Sequence, residues 1–187
     1  MSKQKVLNFF AGPGVGKSTM AAGTFCLLKM LGMNVELVQE YAKELAWAGV
    51  EDIQERELEL LMEQHKRMQR LVGKVDLIIT DSPLLLPLAY AKTDMLPHLH
   101  PLCMQLYSGE FDNYDYVLFR DKPYNPKGRY QTEEEAKEKD GVITNLVKGA
   151  GNPNGWAHCH AARDECGLAR FVEQLVEDCG LHDCIRY

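Results

Sequence analysis

The segment Ala11-Gly12-Pro13-Gly14-Val15-Gly16-Lys17-Ser18-Thr19 constrains this chain more than any other. It follows the apolar run Val6-Leu7-Asn8-Phe9-Phe10 and precedes apolar residues at helical spacing. Strand, glycine-rich turn and helix in that order form the local context of a phosphate-binding P-loop. Small residues let consecutive backbone N–H groups point into one concavity and cradle phosphate oxygens. The helix that starts near Lys17 adds the partial positive charge of its N-terminal end. The candidate nucleotide-binding residues are therefore Gly12, Pro13, Gly14, Val15, Gly16, Lys17, Ser18 and Thr19. Lys17 is expected to reach the β- and γ-phosphates of ATP, and the Ser18 hydroxyl to ligand Mg²⁺. Ala11 stands where the strict Gly-x-x-x-x-Gly-Lys-[Ser/Thr] pattern has its first glycine. That exchange is tolerable if φ is negative at residue 11.

The rest of the chain fits an α/β alternation. A strand is predicted over about 5–11 and a helix over about 17–31, with Gly32 as its stop. A second strand over 34–39 leads to Glu40, a short helix over 41–48 is broken by Gly49, and a long charged helix covers about 51–72. Its apolar stripe is Ile53, Leu58, Leu61, Met62, His65, Met68 and Leu71/Val72. The run Val75-Asp76-Leu77-Ile78-Ile79-Thr80 reads as a buried parallel strand ending at Asp81. Residues 82–107 read as at least two helical pieces bent by Pro87, Pro97 and Pro101. A fourth strand over 116–119 runs into Arg120-Asp121, and a turn-rich loop over 122–130 follows. Thr132-Glu133-Glu134-Glu135 resembles a capping box opening a helix to about 147. The glycine-rich stretch 149–155 is the clearest break. A helix over 168–179 and an edge strand over 183–187 complete the prediction. Strands alternating with helices imply an about five-stranded parallel sheet with helices on both faces, in a single domain over 1–187 with its core at about 4–148.

In such sheets ligands sit at the C-terminal ends of the strands. Ala11, Glu40, Asp81 and Arg120 all fall there. Asp81, after a continuous apolar strand, has the position of a Walker-B-like acid that holds Mg²⁺ with Ser18; its structural alternative is to cap a helix beginning near Ser82. Glu40 is a candidate base that orients an attacking hydroxyl, or else a partner of Lys43. Arg120 and Arg129 flank the 122–130 loop, and arginine suits the charge spread over a transferring phosphoryl group. A loop closing as a lid would exclude water and favour transfer to a hydroxyl over hydrolysis. The alternative for both arginines is a surface ion pair.

Together these elements resemble the small P-loop kinases. The likeness is carried by Ala11 through Thr19, Glu40-Tyr41-Ala42-Lys43-Glu44, Thr80-Asp81-Ser82-Pro83, and Asn125-Pro126-Lys127-Gly128-Arg129 with Gln131-Thr132-Glu133-Glu134 behind it. The branch it resembles is nicotinamide riboside kinase-like and thymidylate kinase-like, often phage-encoded. The resemblance spans roughly residues 4–148. It implies a P-loop NTPase fold with an arginine-bearing lid, ATP–Mg²⁺ as donor and a nucleoside-like small molecule as acceptor. Some kinases resembling this group phosphorylate 5-hydroxymethyluracil already in DNA, so a modified base in DNA is a second acceptor class. Tyr124, Tyr130 and Trp156 would then supply stacking.

Composition bounds these readings. The 187 residues carry a net charge of −6, which argues against broad binding to duplex nucleic acid. The chain enters its first strand within a few residues, and no apolar run nears the ~18 residues of a membrane span. The expected setting is therefore cytoplasmic, with the six cysteines as reduced thiols. His158, Cys159, His160 and Cys166 invite a zinc reading, but their spacing matches no strong zinc signature. A reading of another class is a non-catalytic nucleotide-dependent switch. A GTPase of the usual type would carry Asn-Lys-x-Asp, which this sequence lacks.

Overall fold

The computed structural model describes residues 3–121, 123 and 132–185. Five strands form one all-parallel sheet in the order β2-β3-β1-β4-β5. They are β1 (Gln4–Phe10), β2 (Val35–Val38), β3 (Leu77–Thr80), β4 (Phe111–Phe119) and β5 (Trp156–His160). Parallel neighbours require crossovers, and helices supply them: α1 (Lys17–Met30), α2 (Tyr41–Trp47), α3 (Glu57–Gln69), α4 (Leu96–Gly109), α5 (Glu133–Gly149) and α6 (Glu165–Asp178).

Two apolar layers flank the sheet. Leu7 and Phe9 of β1 pack with Tyr116 and Leu118 of β4 against α1 and α6 on one face. Val6 and Phe10 pack with Phe111 and Val117 against α3, α4 and α5 on the other. Leu77, Ile78 and Ile79 are fully buried, which is why β3 reads as an uninterrupted apolar run rather than an alternating one. Each such side chain contributes on the order of 1.5–3 kcal/mol by leaving water. Gly23 of α1 admits α6 closely: a Cβ there would lie 2.7 Å from Leu168 Cδ2.

Three elements depart from the sequence expectation. The strand at the β4 edge is Trp156–His160, in the register Phe119↔His160, and of the strand expected over 183–187 the described part begins in a 3₁₀ turn, His182–Cys184. β5 is largely exposed and carries almost no branched apolar residues, so backbone pairing holds a segment that side-chain pattern does not mark. β4 begins at Phe111 rather than at residue 116. Its first half is disguised by Asp112, Asn113 and Asp115, of which Asn113 and Asp115 are buried in a polar network. Asp115 accepts from Asn8 Nδ2 and Asn152 Nδ2, at 2.9 and 2.8 Å, and from the Tyr107 hydroxyl. The glycine-rich stretch after α5 is thus tied to the core through Asn152.

The third departure is α3. It is shorter than 51–72, preceded by a 3₁₀ turn at Ile53–Glu55 that Asp52 enters at φ 57°. Its buried residues are Glu57, Leu61, Gln64 and Met68, while Leu58 and Met62 of the expected apolar stripe are 48% and 44% exposed. The helix is rotated so that a partly polar face looks inward.

Candidate functional site

The P-loop adopts the conformation its glycines permit. Gly14 and Gly16 have φ of 88° and 115°, a region where a Cβ would be strained. Ala11 has no positive φ and is buried in the core, so the missing first glycine costs the loop nothing. Gly12 is needed for a different reason. A Cβ there would stand 2.5 Å from Asp140 Oδ1 and 2.8 Å from the Ala136 carbonyl of α5. That close approach lets Gly12 N–H donate to Asp140 Oδ1 at 2.8 Å.

Arg120 completes this brace. Its Nε donates to Asp140 Oδ2 at 2.5 Å, and its Nη2 to Asp140 Oδ1 at 3.1 Å and to the Pro13 carbonyl at 2.9 Å. The side chain is only 10% exposed. Arg120 is therefore not a surface ion pair: it clamps the P-loop to α5, with Nη1 buried and unpartnered among the described residues. Arg129 lies outside the described residues, as do Tyr124 and Tyr130.

The sheet order sets β3 between β1 and β2, so Asp81 stands between the P-loop and Glu40. Asp81 is 2% exposed. Its Oδ1 accepts from Glu40 N–H at 3.1 Å and its Oδ2 from Lys43 Nζ at 3.2 Å. It caps no helix: the first helical turn after it begins at Leu86, and Ser82 N–H is satisfied by Thr80 Oγ1. Lys43 also donates to Ser18 Oγ and lies 3.8 Å from Glu40 Oε2. One ammonium thus joins Ser18, Asp81 and Glu40. Hydroxyl and carboxylate oxygens converging on a point that already holds a positive charge fit a hard divalent cation.

Lys17 donates to the carbonyls of Ala11 at 2.8 Å and Gly12 at 3.4 Å. Burial pulls its pKa below the ordinary lysine value, and the nearby Glu40 and Asp81 only partly oppose this. A polyanion at the loop would meet a partly desolvated ammonium.

Lys17, Ser18, Glu40 and Lys43 line one side of a cleft of about 1250 Å³. The other walls come from α2, α3, the 82–90 segment and α5. Tyr90 stands in this lining, its hydroxyl pushed up to about 12 by burial, and Lys139 Nζ lies 5.1 Å from its ring centre. Sequence reasoning brought out Lys17, Ser18, Glu40 and Asp81, and the fold gathers all four. It named Lys43 as an alternative partner of Glu40, which lies 3.8 Å away, but not as the cation that also joins Ser18 and Asp81. It also missed Asp140, Tyr90, Glu57 and Gln64, which no local pattern marks.

The zinc reading finds no support among the described residues, where no cluster of three or more His, Cys, Asp or Glu is placed to hold a metal. His158 stacks on Phe119 and His160 packs against it at a tilt, with ring centres 4.4 and 4.8 Å away, and Cys159 alternates to the opposite face. No described helix is long and apolar enough to cross a membrane.

No family profile matches this chain, and no curated protein does. Solved structures do. The crystal structure of NadR protein in complex with NR superposes with a TM-score of 0.73 at 17% identity, covering 98% of this chain and 53% of that one. The crystal structure of APE1195 matches with a TM-score of 0.52 at 18% identity, covering 97% and 98%. This chain thus spans about half the length of the NadR chain it resembles. The five-stranded parallel sheet with helices on both faces is an α/β fold, and the superposition shows that it is shared with the NadR structure.

Proposed function

We propose that this protein is an ATP- and Mg²⁺-dependent kinase that transfers the γ-phosphoryl group to a hydroxyl of a nucleoside-like acceptor. The observation that carries the reading is the convergence of Ser18 Oγ and Asp81 Oδ2 on one cationic point beside the P-loop, at the mouth of a large cleft. Ser18 and Asp81 would hold Mg²⁺, which when bound neutralises charge on the transferred phosphoryl group. The P-loop N–H groups and Lys17 orient the donor, and Glu40 accepts the proton of the attacking hydroxyl. The acceptor oxygen forms a bond to the γ-phosphorus as the bond to the β-bridging oxygen breaks. Arg129 of the 122–130 loop is the proposed lid arginine, and Arg120 keeps the loop in register through Pro13 and Asp140.

Incubation with γ-labelled ATP and a panel of nucleosides, nucleotides and hydroxymethyl-containing DNA tests this directly. Label transfer to at least one acceptor is expected. Rapid ATP hydrolysis with transfer to none would count against a kinase.

A further inference from the structure

We propose that Glu57 and Gln64 of α3 are the acceptor-recognising pair of the cleft, and that they select an acceptor carrying hydrogen-bond donors and no phosphate. This deepens, and rests on, the kinase reading above. Glu57 and Gln64 are 8% and 3% exposed, and both line the cleft. Glu57 Oε1 and Gln64 Oε1 are buried without a hydrogen-bond partner among the described residues. Gln64 is held in place by its Nε2, which donates to Thr80 Oγ1 at 3.1 Å. Two turns separate the pair, with Leu60 and Leu61 between them in the same wall. An unpaired buried acceptor atom is costly, and two on one helix face that also turns Leu58 and Met62 outward are not a packing solution. They are a complementary surface for a ligand with N–H or O–H groups spaced across an apolar strip.

The charge of the cleft defines the class further. Glu40, Glu51, Asp52 and Glu57 line it from the α2–α3 side. The cationic groups in the described lining are already engaged: Lys17 by loop carbonyls, Lys43 by Asp81 and Ser18, Lys139 by the Ala89 carbonyl at 2.6 Å. No arginine stands among the described lining residues. A monophosphate or a phosphodiester backbone brought against these carboxylates is repelled, whereas a sugar hydroxyl or ring N–H is welcomed. The burial that strands Glu57 Oε1 also pushes its carboxyl above the ordinary value, which a donor-bearing ligand would reverse.

The test pairs uridine, cytidine, adenosine and thymidine with their 5′-monophosphates and with a hydroxymethyluracil oligonucleotide. Both phosphoryl transfer and ligand-induced thermal shift are read, on wild type, Glu57→Gln and Gln64→Met. Wild type should use at least one nucleoside over its monophosphate. Glu57→Gln should raise the acceptor KM about tenfold or more with ATP KM unchanged, because a site built to accept a donor rejects what it cannot pair. Equal or better use of a monophosphate or the oligonucleotide overturns the proposal while leaving the kinase reading intact. So does an unchanged acceptor KM in both variants. A nucleoside-specific thermal shift lost in Glu57→Gln, with no transfer in any protein, overturns the kinase reading and sustains the pair. Neither transfer nor shift with any probe overturns both.

Discussion

Lys17 and Lys43 hold their charges in different ways, and this gives opposite expectations for their removal. Lys17 is partly desolvated on loop carbonyls. Lys17→Ala should lower phosphoryl transfer by at least ~10²-fold, because it removes charge aimed at the transferring group. Its melting temperature should stay close to wild type, since little apolar packing is lost. Lys43 occupies the point on which Ser18 and Asp81 converge. Lys43→Met should therefore lower the Mg²⁺ concentration needed for half-maximal rate, whereas Asp81→Asn should raise it. Titrating each variant with Mg²⁺ at saturating ATP separates them. Glu40→Gln should instead lower kcat, by ~10²-fold or more, with ATP affinity near normal. Loss of ATP affinity with turnover retained would assign Glu40 to the donor side.

Among the elements, the junction of the P-loop with α5 carries the tightest constraint. Gly12→Ala drives a Cβ toward the Ala136 carbonyl, a backbone atom that cannot swing aside. The loop must move, with a loss of about 1–3 kcal/mol and a raised ATP KM, measurable by urea unfolding and by kinetics. The same helix begins with a complete capping box. Thr132 Oγ1 accepts from Glu135 N–H at 3.2 Å, and Glu135 Oε2 from Thr132 N–H at 2.7 Å. This box was legible from Thr132-Glu133-Glu134-Glu135 because it is a local exchange. The Asp140 brace was not, because its partners Gly12, Pro13 and Arg120 come from distant parts of the chain. α3 failed for a related reason: hydrophobic periodicity assumes that the inward face meets core, whereas Glu57 and Gln64 face a cleft.

At the scale of the whole molecule, Asp115 joins β1, β4, α4 and the stretch after α5. Asp115→Ala leaves Tyr107, Asn8 and Asn152 donors stranded and should cost about 3 kcal/mol or more in urea unfolding. Burial raises the Asp115 pKa above 3.8 despite its three donors. A raised folded value means that the native state binds the proton more tightly than the unfolded chain. Its contribution to stability is thus full below the ordinary carboxylate value and declines as pH rises through the raised folded value. The difference between wild-type and Asp115→Asn stability, followed upward from pH 3.8, should show that decline.

The sequence by itself determined the P-loop, the parallel α/β alternation and the strand-end acids, because each is written in contiguous residues whose backbone chemistry is local. Ser18 follows from the P-loop pattern, Glu40 and Asp81 follow from where strands end, and strand ends follow from apolar runs. The tertiary structure alone decided which strand forms the edge, what Lys43 and Arg120 contact, and which face of α3 is buried. Those outcomes depend on sheet order and on helices crossing over it. Strand pairing can recruit Trp156–His160 despite a weak side-chain pattern, and a buried carboxylate such as Glu57 has no local signature until a cleft has formed around it.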